Sequence, residues 1–242
     1  MRGSTTFVAV FIAVAPTFAA DKTLKFSGRD WVVRANGKGG PGPNHWDADN
    51  VSVDAEGRLH LKLNVRDGKW CCAEVHTKER LGFGRYEFEI EGRIDKLDPN
   101  VVLGLFNYPP RDVGPGATHE IDVEFARWGN SKWPNGNFTV WPAEKGRKQT
   151  SKTFEFELTG DRSVHRFDWT SISIEFVSSN FGRDQRIAHW KFEPKEPSKS
   201  IAQKPMPVHV NLWCFKGRPP TDARPVELIV RSFKFTPSAS TK

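Results

Sequence analysis

Tyr86-Glu-Phe-Glu-Ile-Glu91 places apolar and acidic residues in strict alternation. Successive side chains of an extended chain point to opposite faces, so Tyr86, Phe88 and Ile90 form one face and the three glutamates the other. A helix would scatter both sets around its circumference, so the segment reads as a half-buried β-strand. The same period recurs on both sides. Val51-Ser-Val-Asp and Leu59-His-Leu-Lys-Leu-Asn-Val65 precede it. Phe154-Glu-Phe-Glu-Leu158, Ile172-Ser-Ile-Glu-Phe-Val177 and residues 227–235 follow. Turn signals fall between these runs, at Glu56-Gly57, Asp67-Gly68, Asn135-Gly136 and Thr159-Gly160. Long amphipathic helices are missing. The expected fold is all-β, an antiparallel sandwich. No repeat or linker divides residues 21–242, which are expected to form one domain.

The first twenty residues read as an export signal. Arg2 supplies positive charge, Phe7 to Ala15 is a mostly apolar run, and Thr17, Ala19 and Ala20 give small residues near a cleavage point. The run is too short to span a bilayer, so no membrane anchor is expected and the protein should be secreted or periplasmic. The nine Trp and eighteen Phe supply ample apolar material for a core. The net charge of +7 is spread over scattered Lys and Arg, with no basic helix and no aromatic RNA-binding motif. Nucleic acid is therefore not an expected partner. The chain is expected to act as a monomer. Cys71 and Cys72 are adjacent and Cys214 is distant. One bridge from the pair to Cys214 would leave one thiol free, and no four-ligand zinc pattern exists. No cofactor or metal is expected.

Chemistry is concentrated in His119-Glu-Ile-Asp-Val-Glu-Phe125. On a strand, Ile121, Val123 and Phe125 point one way and Glu120, Asp122 and Glu124 the other. Three acids on one face repel each other. Residues i and i+4 have Cα atoms about 13 Å apart, so two glutamates leaning inward could reach the roughly 5–5.5 Å separation of a retaining glycosidase. Crowding raises at least one pKa, as an acid catalyst requires. A plainer reading competes. Glu87, Glu89 and Glu91 alternate in the same way, as do Glu155 and Glu157, so the trio could be a solvated sheet face. Its central acid is the shorter Asp, and aromatic residues flank it: Phe106 and Tyr108 before, Trp128 and Trp133 after.

At these residues the chain resembles glycoside hydrolase family 16, especially its lichenase-like members, whose defining strand reads Glu-Ile-Asp-Ile/Val-Glu-Phe. Cys72-Ala-Glu-Val75, Gly82-Phe-Gly-Arg-Tyr-Glu87, the apolar run Val101 to Tyr108, His165-Arg-Phe-Asp-Trp169 and Asn211-Leu-Trp213 continue the likeness in the family's order. The resemblance implies a β-jelly-roll of two curved antiparallel sheets with a cleft on the concave face. It implies Glu120 as nucleophile, Glu124 as acid/base and Asp122 between them. It also implies substrate contacts from Glu74, His76, Asn107, Tyr108, Asn137, Thr139, Trp141, Asn211 and Trp213. Three features depart from the family pattern. Ala117-Thr118-His119 stands where Trp is usual, Ser178-Ser179-Asn180 replaces an Asp-Gly turn, and His76 sits where lichenase-like members hold Arg.

The reading that follows is an endo-acting, retaining hydrolase of a β-linked polysaccharide, of the β-glucan class. Transglycosylation uses the same covalent intermediate and is its close variant. A non-catalytic carbohydrate-binding sandwich is the alternative from another class. That protein would keep the aromatics without needing all three acids. No Gly-X-Ser-X-Gly elbow, P-loop or dinucleotide fingerprint is present.

Overall fold

The computed structural model describes residues 22–182 and 186–238. The expected export signal, residues 1–20, lies outside the described residues. Among the described residues no helix is long and apolar enough to cross a membrane.

The described residues form seventeen strands in chain order. They are β1 (Thr23–Phe26), β2 (Arg29–Val33), β3 (Gly37–Gly39), β4 (Asn44–Trp46), β5 (Val51–Val53), β6 (Leu59–Arg66), β7 (Lys69–Thr77), β8 (Gly84–Glu91) and β9 (Val101–Asn107). Then come β10 (Ile121–Phe125), β11 (Gly136–Val140), β12 (Thr150–Phe154), β13 (Arg162–Trp169), β14 (Ile174–Asn180), β15 (Arg186–Phe192), β16 (Val208–Cys214) and β17 (Val226–Pro237).

The pairings resolve into two antiparallel layers. The cleft sheet runs β1-β2-β7-β16-β9-β10-β11-β12. The outer sheet runs β5-β6-β17-β8-β13-β14-β15. The β6–β7 hairpin, turning at Asp67-Gly68, ties one to the other. The only parallel contact among the described strands is the short β4–β7 pairing. This is the antiparallel sandwich that the alternation implies, in the jelly-roll form that the resemblance implies.

The core is the apolar half of that alternation. Tyr86, Phe88 and Ile90 are fully buried, as are Ile121, Val123 and Phe125 on the facing sheet. Rings join the layers: Phe138 stacks on Phe176 at 4.9 Å, and Phe125 meets His165 at 4.5 Å. Each fully buried Phe contributes about 1.5–3 kcal/mol. His165 lies wholly inside, where burial pushes its pKa down to about 3. It is therefore neutral, and its ring nitrogens are satisfied by the Ser178 and Ser163 hydroxyls.

The outward faces of the two sheets differ. Glu89 pairs with Arg162 and Arg231, and Glu91 with Arg231. This is a solvated ion-pair surface. The period-two reading fails at residues 155–158, which leave the ladder after β12. Phe156 and Leu158 are still buried. Their amides donate to the Asn135 and Asp95 side chains, which replace a strand neighbour. Ile172 likewise sits exposed in a turn, and β14 begins at Ile174. All three cysteines are buried free thiols.

Candidate active site

A cleft of about 900 Å³ crosses the cleft sheet over β10. Strand register assembles it in transverse rows. Glu124 lies opposite Asn137 on one side and Gly104 on the other; Gly104 pairs with Asn211, and Asn211 with Glu74. The next row reads Thr139, Asp122, Phe106, His209, His76. Glu120 stands just before β10, its carbonyl accepting the Trp141 amide at 2.9 Å. Gly104 is required by this arrangement. A Cβ there would sit 2.5 Å from the Asn211 Oδ1, so only glycine lets the Asn211 side chain lie beside Glu124.

The approach to the strand is strained. Ala117 and His119 hold left-handed backbone at φ 64° and 62°. Non-glycine residues pay of order 1 kcal/mol each for that conformation. His119 is turned to Thr118, whose hydroxyl donates to the Pro115 carbonyl, so the His119 Nδ1 donates to Thr118. It takes no part in the acid row.

Each acid has distinct partners. Trp141 Nε1 donates to Asp122 Oδ2 at 2.9 Å, while Asp122 Oδ1 is buried with no protein partner. Asn137 Nδ2 donates to Glu124 Oε2 at 3.0 Å, and its Oδ1 accepts the Trp128 indole N–H at 3.2 Å. All three carboxyls are desolvated, and burial is the main reason each pKa rises. Glu120 is pushed up to about 8 by burial and by Glu124, against a hydrogen bond from Asp122 that pulls it down. Glu124 is pushed up to about 7 by burial, against the Asn137 amide. Asp122 rises well above the carboxylate range through burial and both glutamates. Burial and mutual crowding thus favour the protonated forms of these carboxyls. Replacing Trp141 by Phe should remove the hydrogen bond that fixes the Asp122 carboxyl and lower kcat/KM about tenfold. An unchanged kcat/KM in steady-state assays would show that Asp122 needs no fixed orientation.

The structure brings Glu74, Tyr108, Asn137, Thr139, Trp141, Asn211 and Trp213 to the cleft with the three acids. It does not bring Asn107. Register sets Asn107 opposite the inward-facing Ile121; it is fully buried, and its amide donates to the Met206 and Pro207 carbonyls. Phe106, one residue earlier, takes the cleft position. His76 shares the cleft side of β7 but does not line the cavity; its ring stacks at 5.0 Å on His209, which does. Arg34, Phe106, His209 and Ser151 line the cleft without having been singled out as substrate contacts. His209 was within reach of parity, two residues before Asn211. Arg34 follows β2 and had no pattern to mark it. Among the described residues no group of His, Cys, Asp and Glu is arranged to hold a metal ion.

Comparison with known proteins follows the same geometry. The family model described as "Glycosyl hydrolases family 16" matches residues 43–224. A β-glucanase from Bacillus licheniformis has a similar structure, with a TM-score of 0.65 and 21% identity over 86% of this chain and 92% of that one. A Flavobacterium laminarinase gives 0.64 and 17% over 85% and 92%. An immunostimulatory antigen and pseudo β-1,3-glucanase of Mycobacterium tuberculosis gives 0.64 and 20% over 86% and 91%. At these identities the likeness is one of fold. No curated protein matches the chain.

Proposed function

The chain belongs to glycosyl hydrolases family 16, and from that premise we propose that it is an exported, endo-acting, retaining hydrolase of a neutral β-glucan. One observation carries the reading: three desolvated carboxyls stand in a row on the floor of an open cleft. Burying them together is costly, and a surface that only bound sugar would not need it.

In the proposed reaction a Glu120 oxygen attacks the anomeric carbon. The bond to the leaving oxygen breaks as that oxygen takes the proton of Glu124. Glu124, now a carboxylate, removes a proton from water, whose oxygen displaces Glu120 with net retention. In the empty cleft burial pushes both glutamates up. The proposed roles need Glu120 ionised and Glu124 protonated when sugar is bound. Positive charge developing on the anomeric carbon beside Glu120 favours its anion, and the Asp122 hydrogen bond supports it.

Local charge favours a neutral polymer. The molecule is basic overall, but its cleft is lined by Glu74, Glu120, Asp122 and Glu124 against Arg34 and His209. An anionic chain would meet the ionised Glu74 at close range and would disfavour the ionised Glu120 that the attack requires. Exposed Trp133 and Tyr108 offer faces for sugar rings. The test is proton NMR of the first product from neutral β-1,3- and mixed-linkage β-1,3-1,4-glucan. The β-anomer should form first, and a sulfated galactan should stay uncut. An α-anomer would reject double displacement, and preference for the sulfated polymer would reject the charge argument. The fold is also that of a pseudo β-1,3-glucanase, so binding without cleavage is the competing outcome.

A further inference from the structure

Glu74 is a fourth acid in the cleft, and its surroundings are the opposite of those of the trio. It lies on β7, two strands beyond β9, in the row of Glu124 and Asn211. Its side chain is only 10% exposed. Its Oε2 accepts from Arg34 Nη1 at 2.7 Å and its Oε1 from His209 Nδ1 at 3.0 Å. A carboxylate only accepts, so the His209 hydrogen is on Nδ1. Burial alone would raise the Glu74 pKa, but His209 and then Arg34 outweigh it and hold the group below its ordinary value. The wall therefore presents a buried, fixed anion.

Both donors are themselves held in place. The Arg34 guanidinium lies 3.9 Å above the Trp46 ring. The His209 ring is stacked on His76 at 5.0 Å, tilted against Phe106 at 5.1 Å and edge-on to Tyr108 at 5.9 Å. The titratable and charged groups around His209 are thus Glu74 and His76 from β7, Tyr108 after β9 and Arg34 after β2. Asp122 lies beyond Phe106 in the same row. Each Glu74 oxygen spends one acceptor position on the protein and has a second for a ligand.

We propose that His209 is a positioning residue for substrate binding: it orients Glu74 so that the carboxylate accepts hydrogen bonds from glycan hydroxyls at this wall of the cleft. The inference rests on the glycan reading above. His209 is separated from the reacting acids by Phe106, so it acts on ground-state binding and not on bond cleavage. Preordering both partners removes the entropy cost of fixing Glu74 when sugar arrives. A bond from a hydroxyl to a fixed, desolvated carboxylate is charge-assisted.

The test uses His209→Phe, which keeps the ring stack and loses the Nδ1 donor, and His209→Asn, which restores a donor near that position. Calorimetry on the Glu120→Gln protein gives the Kd for β-1,3-glucan and mixed-linkage hexasaccharides. Adding His209→Phe should weaken binding roughly tenfold, and His209→Asn should recover most of it. In the otherwise native enzyme His209→Phe should raise KM by the same factor and leave kcat within about threefold. Melting temperatures establish that the variants are folded. Should His209→Phe not fold, His209→Leu, which also removes the Nδ1 donor, is set beside His209→Asn on the same assay. Binding by His209→Phe within twofold of its parent overturns the inference, as does a kcat that falls as far as kcat/KM. Failure of the parent to bind either glucan overturns the glycan reading and the inference with it.

Discussion

Glu120→Gln is expected to lower kcat by roughly 10⁴–10⁶-fold and, at pH 7, to raise the melting temperature. The first effect is the loss of the proposed nucleophile, which no neighbour can replace in position. The second follows from the carboxyl's environment. Its folded pKa is raised from an ordinary 4.5 to about 8. A carboxyl raised on folding is no burden below its unfolded pKa, where it is neutral in both states. It costs stability increasingly as pH climbs from about 4.5 toward 8, because the unfolded chain releases the proton and the folded one retains it. At pH 7 the cost is at most about 3 kcal/mol, at 1.36 kcal/mol per pKa unit. A domain of this size gains about 2–4 °C per kcal/mol, so the variant should melt several degrees higher. At pH 4 the difference should vanish, since neutral Glu and Gln are nearly isosteric. Calorimetric scans at both pH values with parallel assays check this. A folded variant that melts lower at pH 7 would mean that the carboxylate has a stabilising partner, and retained activity would remove Glu120 from the mechanism.

The second large effect separates the two glutamates. Glu124→Gly should cut polysaccharide hydrolysis by about 10²–10⁴-fold, the usual worth of general acid–base catalysis. An aryl β-glucoside of a glucan oligosaccharide needs no proton on its leaving group, so the covalent intermediate should still form on Glu120. Azide should then attack that intermediate, its nitrogen bonding to the anomeric carbon as the bond to Glu120 breaks, and yield the β-glycosyl azide. In Glu120→Gly, azide can only attack the substrate directly from the face opposite the aryl group, and the α-azide should form. The opposite pair of products would exchange the two roles. No azide product from either variant would speak against a double displacement.

Much of this was legible in one dimension. The alternation at residues 86–91 is a statement about which side chains must leave water, and period two admits few structures that can satisfy it. The acid row at 120–124 was legible for the same reason, because parity alone puts the three carboxyls on one face. Parity also leads to Glu74, Asn211 and Trp213. Asn107 came from the resemblance and not from parity, which sets it on the opposite face from Phe106 and Tyr108; the register with Ile121 turns its side chain inward. Parity misled at residues 155–158, where the Asn135 and Asp95 side chains supply hydrogen bonds that a strand would have supplied.

Local period alone set most of the strands, their inward and outward faces and the existence of the acidic rows, because each segment carries that period independently. It could not say which row was chemical. Glu87, Glu89 and Glu91 have the same spacing as the trio, yet Glu89 and Glu91 meet arginines on an open outer face. Glu120, Asp122 and Glu124 meet each other, Trp141 and Asn137 on the floor of a cleft. Tertiary structure decided that difference, because a carboxyl's pKa is set by its desolvation and its neighbours. Those neighbours come from β7, β9, β11 and β16, strands that lie far apart in the chain and side by side in the sheet.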